Sequence, residues 1–189
     1  METLVNRRNV VFAVAAVFGV LADQLSKWWI VNNVAYRTGE IRVIDGLLSI
    51  VHAQNPGAAF GALGGNSSRF LIFGVFTAVA LYFVFDMFRK LPTTDWFLSL
   101  ALGLILSGAV GNAIDRVRQQ YVTDFIRVYS DSPGLKAWLI DNFGTYEWPS
   151  FNIADTALVI GVGMFFVHYL FIEDRSKPDD SGDPAPDPG

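Results

Sequence analysis

Apolar residues fall in blocks along this chain, and four of the blocks have membrane length. The first covers residues 10–31 and opens with an unbroken apolar or small run from Val10 to Ala22. The second covers residues 70–88, where only Thr77 and the amphipathic Tyr82 interrupt the run from Phe70 to Phe85. The third begins at Trp96 and covers 96–114; the fourth begins at Ile153 and covers 153–172. A helix needs roughly 20 such residues to cross the hydrocarbon core. The pattern predicts an all-α integral membrane fold, with one domain over residues 10–172 between a short N-terminus, 1–9, and a tail, 173–189. Thr93, Thr94 and Asp95 offer N-caps for the third helix, and Ser67 or Ser68 for the second.

Between the spans lie two long loops, 32–69 and 115–152. In the first, Ile41-Arg42-Val43-Ile44 alternates imperfectly, and Leu47-Leu48-Ser49-Ile50-Val51 follows the turn pair Asp45-Gly46. These features predict a small β-sheet at the membrane surface. Arg7 and Arg8 before the first span resemble the start of a cleavable leader, but Asp23-Gln24-Leu25-Ser26-Lys27 contains no small-residue cleavage site, so a retained helix is expected. Basic residues are nearly equal in number on the short segments, with six, and on the long loops, with seven. Their density favours placing both termini in the cytoplasm and the long loops outside.

Composition sharpens this picture. The chain is 52% hydrophobic and 17% charged, too apolar for a typical soluble domain. Its net charge of -4 gives no reason to expect a nucleic-acid partner, and four of the acids, Asp179, Asp180, Asp183 and Asp187, lie in a Pro-rich tail read as disordered. There is no cysteine, and the two histidines, His52 and His168, are far apart. A thiol nucleophile and a zinc site are thereby disfavoured, and neither metal nor cofactor is expected. His52 reads as a surface or sheet residue rather than a base.

Polar residues inside spans are costly and usually face a bundle interior. Asp23 and Lys27 are four apart, on one helix face, and form a stripe with Ala15 and Gly19. A structural ion pair is the favoured reading, since an acid so paired is a poor proton shuttle. Gly103, Ser107 and Gly111 form a second small-residue stripe that permits close helix contact. Asn112 and Arg116 share a face beyond it. They read equally as substrate-binding groups or as helix capping with interfacial snorkelling.

Two further acids carry more weight. Asp124 sits in the apolar strand-like run Val122-Thr123-Asp124-Phe125-Ile126, just outside the third helix. Asp155 lies in the first turn of the fourth, three residues after Asn152, where the helix dipole favours a carboxylate. Alone, each could be a loop carboxylate or a dipole partner. Two carboxylates roughly 3 Å apart cannot both ionise and share one proton. One then activates water as a base while the other polarises a carbonyl and donates to the leaving amine. No G-x-S-x-G or H-E-x-x-H motif competes with them. Asn55-Pro56-Gly57-Ala58-Ala59-Phe60-Gly61 reads as a close-approach surface for a substrate backbone, or as an ordinary turn.

Five blocks in order resemble the lipoprotein signal peptidases, also called signal peptidase II. They are Asp23-Gln-x-x-Lys27, Asn55-x-Gly57-Ala-Ala-Phe60, Gly108-x-x-Gly111-Asn112-x-x-Asp115-Arg116, Val122-x-Asp124-Phe125 and Phe151-Asn152-x-Ala154-Asp155. The resemblance implies a bacterial inner-membrane aspartic endopeptidase that cuts before a cysteine carrying a diacylglyceryl group. It assigns Asp124 and Asp155 as the catalytic dyad, with Asn55, Asn112, Arg116 and Asn152 around it. Gly57, Gly108, Ala154, Asp23 and Lys27 support it. A prolipoprotein substrate, membrane lipid, inhibition by globomycin and a monomeric state are the expectations that follow. The interval between Asp124 and Asp155 is longer than the family pattern and includes Ser130-Asp131-Ser132-Pro133-Gly134 and an aromatic stretch around Trp138, Phe143, Tyr146 and Trp148, read as a surface loop at the headgroups. A small proton-coupled transporter is the alternative, but paired inverted repeats with broken helices are lacking. A non-enzymatic scaffold would use the polar clusters for packing alone. A presenilin-like protease would need Tyr-Asp and Gly-x-Gly-Asp contexts, which are absent.

Overall fold

The computed structural model describes residues 6–57 and 66–172. Ala58 to Gly61, residues 1–5 and the acidic tail 173–189 lie outside the described residues, so the expectations for them stand as sequence readings. Among the described residues, four helices are long and apolar enough to cross a membrane: α1 (Arg7–Asn33), α2 (Asn66–Lys90), α3 (Trp96–Gln119) and the helix that follows the long second loop, α5 (Ile153–Val167) with its continuation. Each of the first three overruns the span read from hydropathy, because a helix ends where caps and turns stop it, not where the apolar run ends. At the start of α3 Asp95 is the residue that caps, accepting from the Leu98 amide at 2.9 Å. α2 begins at Asn66, so Ser67 and Ser68 lie within its first turn rather than at its cap. α5 continues as a π-helical turn, His168–Ile172, instead of regular α-helix.

α3 is the hub. It packs against α1 on one side and α5 on the other, with α2 lying along it. The small-residue stripes do this work: a methyl added at Gly103 would stand 2.8 Å from both the Ala15 side chain and the Phe12 carbonyl. Large apolar side chains point outward instead, among them Phe18, Leu71, Phe76 and Val159. That inverted surface suits hydrocarbon as the surrounding solvent. At one end, Phe12 stacks on Phe88 with centroids 4.0 Å apart, and Ser99 Oγ donates to the Arg8 carbonyl at 2.7 Å.

The other end carries a three-stranded antiparallel sheet in the order β1 (Glu40–Ile44), β2 (Leu48–Asn55), β3 (Val122–Val128). The Asp45-Gly46 turn forms as expected, with Gly46 at φ +72°. The sheet is fastened to the bundle by an apolar cluster of Ile30, Val34 and Phe125, flanked by Ile50, Ile126 and Ile153. His52 is a buried sheet residue whose Nδ1 lies 3.0 Å from the Val34 carbonyl. The second loop is not all loop: it holds β3 and a further helix, α4 (Pro133–Phe143).

Candidate active site

Asp124 and Asp155 are 31 positions apart, and a short stretch of β-pairing joins their neighbourhoods. Phe151 bonds across to β3, its amide donating to the Ile126 carbonyl at 3.1 Å and its carbonyl accepting from the Phe125 and Ile126 amides. The next residue, Asn152, therefore stands beside Asp124. It is fully buried and is the N-cap of α5. Its Oδ1 accepts from the Asp155 amide at 3.0 Å, while its own amide donates to Asp155 Oδ2 at 3.2 Å, a reciprocal capping box. Its Nδ2 donates to Asp124 Oδ1 at 2.8 Å. One asparagine thus holds both acids.

Asn112 of α3 closes the arrangement. Its Oδ1 accepts from Lys27 Nζ at 3.1 Å and from Asn152 Nδ2 at 3.2 Å. An ammonium has only donors, so it fixes the amide with its oxygen toward Lys27. The Asn112 Nδ2 is left to donate to Asp155 Oδ1 at 2.7 Å.

Behind the acids lies an ionic cluster. Lys27 Nζ is 2.9 Å from Asp23 Oδ2 and 3.1 Å from Asp115 Oδ2, all three residues being buried. Asp23 Oδ1 accepts from the Ala154 amide at 3.0 Å, and Asp115 Oδ2 from the Thr123 amide at 3.0 Å. Gln24 Nε2 bridges Asp23 and Asp115. The cluster thereby aligns the first turn of α5 and the start of β3, the two segments that carry the acids. Gly111 makes room for it: a methyl there would stand 2.6 Å from Asp23 Oδ2. Gly108 lies one turn below, facing the Ala154 carbonyl and Leu158.

Near the acids, Arg116 Nη1 donates to the Asn112 carbonyl at 3.3 Å, and its guanidinium lies 4.2 Å above the Phe73 ring. Asn55 Oδ1 accepts from the Gly57 amide at 2.9 Å, the side-chain turn that Asn-x-Gly favours. Gly57 is at φ +82° with the Phe73 ring close by, so a side chain there would meet both backbone strain and the ring.

Burial is the main cause that raises the Asp124 carboxyl from its ordinary 3.8 to about 6, and the charge of Asp155 adds to it. Hydrogen bonding from Asn55 and Asn152 and the charge of Lys27 pull the other way. Asp124 therefore lies in an environment where a proton is kept to near-neutral pH.

The arrangement draws in every site residue named from sequence: Asp124, Asp155, Asn55, Gly57, Gly108, Asn112, Arg116, Asn152, Ala154, Asp23 and Lys27. Sequence reasoning gave no separate role to Asp115, Gln24 or Phe73. A signal for Asp115 was present: a buried ammonium has three donors, and Asp23 alone does not satisfy them.

Two solved structures described as bacterial membrane enzymes, determined by the in meso method, share this fold. One, at 1.9 Å resolution, is 32% identical with a TM-score of 0.71, covering 85% of this chain and 93% of the other. The second, at 2.3 Å resolution, is 31% identical with the same TM-score, covering 90% of this chain and 94% of the other. The sequence model of the family described as Signal peptidase (SPase) II matches residues 15–171, a stretch that contains most of the four spans, the sheet and both acids. The chain is a multi-pass membrane protease that belongs to the signal peptidase II family.

Proposed function

We propose that this protein is an aspartic endopeptidase that removes the signal peptide from diacylglyceryl-modified prolipoproteins by cutting before the lipidated cysteine. The observation that carries this reading is the joint attachment of Asp124 and Asp155 to Asn152, with Asp124 shifted toward neutrality. The pair shares one proton, and the shift seen at Asp124 reports the affinity of the pair for it. One carboxylate takes a proton from the attacking water. The other polarises the scissile carbonyl and then gives its proton to the departing amine. Arg116, Asn55 and Gly57 border the site where the substrate backbone is received.

The depth of the site supports the substrate class. Both acids lie at one end of the bundle, beside the entrance of α5, where a scissile bond held by acyl chains would lie. We place the enzyme in the bacterial inner membrane with this end outside and both termini cytoplasmic, acting as a monomer and inhibited by globomycin. Arg7, Arg8, Arg89 and Lys90 gather at the opposite end, consistent with a cytoplasmic face. The test is cleavage of a diacylglyceryl-modified precursor in detergent beside the unmodified one. The modified precursor alone is cut in the expected result; equal cutting of both rejects the substrate assignment. Family membership leaves the transporter alternative without support.

A further inference from the structure

α4 presents a contradiction that the peptidase reaction does not explain. It is apolar over most of its circumference, with Leu135, Trp138, Leu139, Ile140 and Phe143 set between Lys136, Asp141 and Asn142, yet none of its residues is buried. Apolar side chains over that much of a short helix belong against a protein core or a lipid surface. The protein supplies no core for it.

The surroundings of α4 extend the same character. The chain leaves β3 and returns clipped to it: the Ser130 amide donates to the Tyr146 carbonyl at 3.1 Å, and the Trp148 amide to the Val128 carbonyl at 2.9 Å. Beneath the helix, between it and the sheet, is a cavity of about 420 Å³ whose walls include Leu47, Val128, Leu135, Leu139, Phe143 and Trp148. That is within the roughly 300–1,000 Å³ range of small-ligand pockets. Phe143 and Trp148 are 67% and 69% exposed, so apolar rings crowd its edge as well as its walls. The exposed Ile44 and Leu47 of the β1–β2 turn continue the apolar surface.

Depth decides what covers this surface. Val128 is four residues along β3 from Asp124, about 13 Å at the rise of a strand. Phe151, which pairs with the same strand, immediately precedes the cap of α5. The sheet wall of the cavity therefore lies within a few residues of the start of α5, the end at which that span leaves the hydrocarbon. Trp138, Tyr146 and Trp148 are ring types that settle at that level.

We propose that α4 is a non-spanning membrane anchor and that the cavity beneath it takes an acyl chain of a bilayer phospholipid. The helix lies in the interface, its apolar sides among the acyl chains and Asp141 and Asn142 at the headgroups, which removes the exposure of its apolar sides. The lipid chain fills the gap between α4 and the sheet and fixes the sheet's height against the bilayer. This inference rests on the membrane placement of the four spans and is independent of the peptidase chemistry.

The chain has no cysteine, so single introduced cysteines can carry an environment-sensitive fluorophore. The variants are Leu139→Cys in the cavity, Ile140→Cys on the outer side of α4, and Val159→Cys on the exposed face of α5. Each is placed in nanodiscs of phosphatidylethanolamine and phosphatidylglycerol with brominated or ordinary acyl chains, after checking that it still cleaves precursor. The expected result is loss of most emission at all three positions with brominated lipid. Loss at Val159→Cys with none at either α4 position overturns the anchor while leaving the membrane placement intact. No loss at Val159→Cys overturns that placement and the inference with it. Loss at Ile140→Cys without Leu139→Cys overturns the cavity's lipid occupant. So does loss at Leu139→Cys only when bromine is carried on the acyl chains of a lipidated peptide substrate.

Discussion

The ionic cluster and the acid pair share Asn112 and the ends of the same helices, but they balance charge in opposite ways. Asp23 and Asp115 face an ammonium, and every carboxylate oxygen has a donor. Asp124 and Asp155 face chiefly carboxamides and backbone amides, with each other's charge close by. Burial in the first case is offset by charge pairing and organises the fold. Burial in the second is left partly unbalanced, and the imbalance is what lets an acid keep a proton where chemistry needs one. The difference separates a scaffold from the proposed reaction centre, both built from the same residue type.

The largest expected effect lies in the acid pair. Asp124→Asn and Asp155→Asn each lower cleavage of the modified precursor by roughly 10²–10⁴-fold, the range expected for loss of acid–base participation, while the variants stay inserted and folded. Near-normal turnover by either purified variant would remove that residue from the dyad. Next comes the cluster. Lys27→Met strands two buried carboxylates and costs about 3–5 kcal/mol of stability, read as a fall in the unfolding midpoint in detergent. Asp23→Ala also acts mainly on stability; activity lost at unchanged thermal stability would show that the cluster is not a scaffold.

A smaller effect distinguishes the two groups by sign. The folded pKa of Asp124 lies above its ordinary value, so the folded protein binds more protons than the unfolded chain between pH 3.8 and about 6. Stability from this group falls as pH rises through that window. Asp124→Asn, which removes the charge, is therefore more stable than the parent at pH 7, by up to about 3 kcal/mol, with the advantage vanishing below pH 4. An inactive variant that is no more stable at neutral pH would contradict the unbalanced burial. The smallest change is at the mouth: Gly57→Ala, at a positive φ and against Phe73, costs about 1–2 kcal/mol and raises KM more than it lowers kcat.

Much of this was legible in the chain because the spacing rules are local. The four apolar blocks, the Asp45-Gly46 turn, the Asp95 cap and the Asp23–Lys27 pair each follow from residues within a turn or two of one another. What brings Asp124 to Asn152 is not local: it depends on Phe151 pairing with β3, an edge contact that no periodicity announces. Asp115 was quoted as part of a motif, but its partnership with Lys27 requires α1 and α3 to cross at a known height. α4 escaped for a different reason. Its Pro133 at the first turn and Gly144 at the end are helix punctuation, but apolar residues spread over most of its circumference leave no period to detect.

The reciprocal cap at the start of α5 has a consequence for motion. Elsewhere the first turn of a helix frays and re-forms at little cost, because its amides can exchange partners with water. Here unwinding by a single residue would release Asp155 from Asn152 and let Asn152 swing from Asp124 in the same movement. Fraying and separation of the two acids are one event, so the amides of Asn152 to Thr156 should exchange with solvent as slowly as those deep in α3.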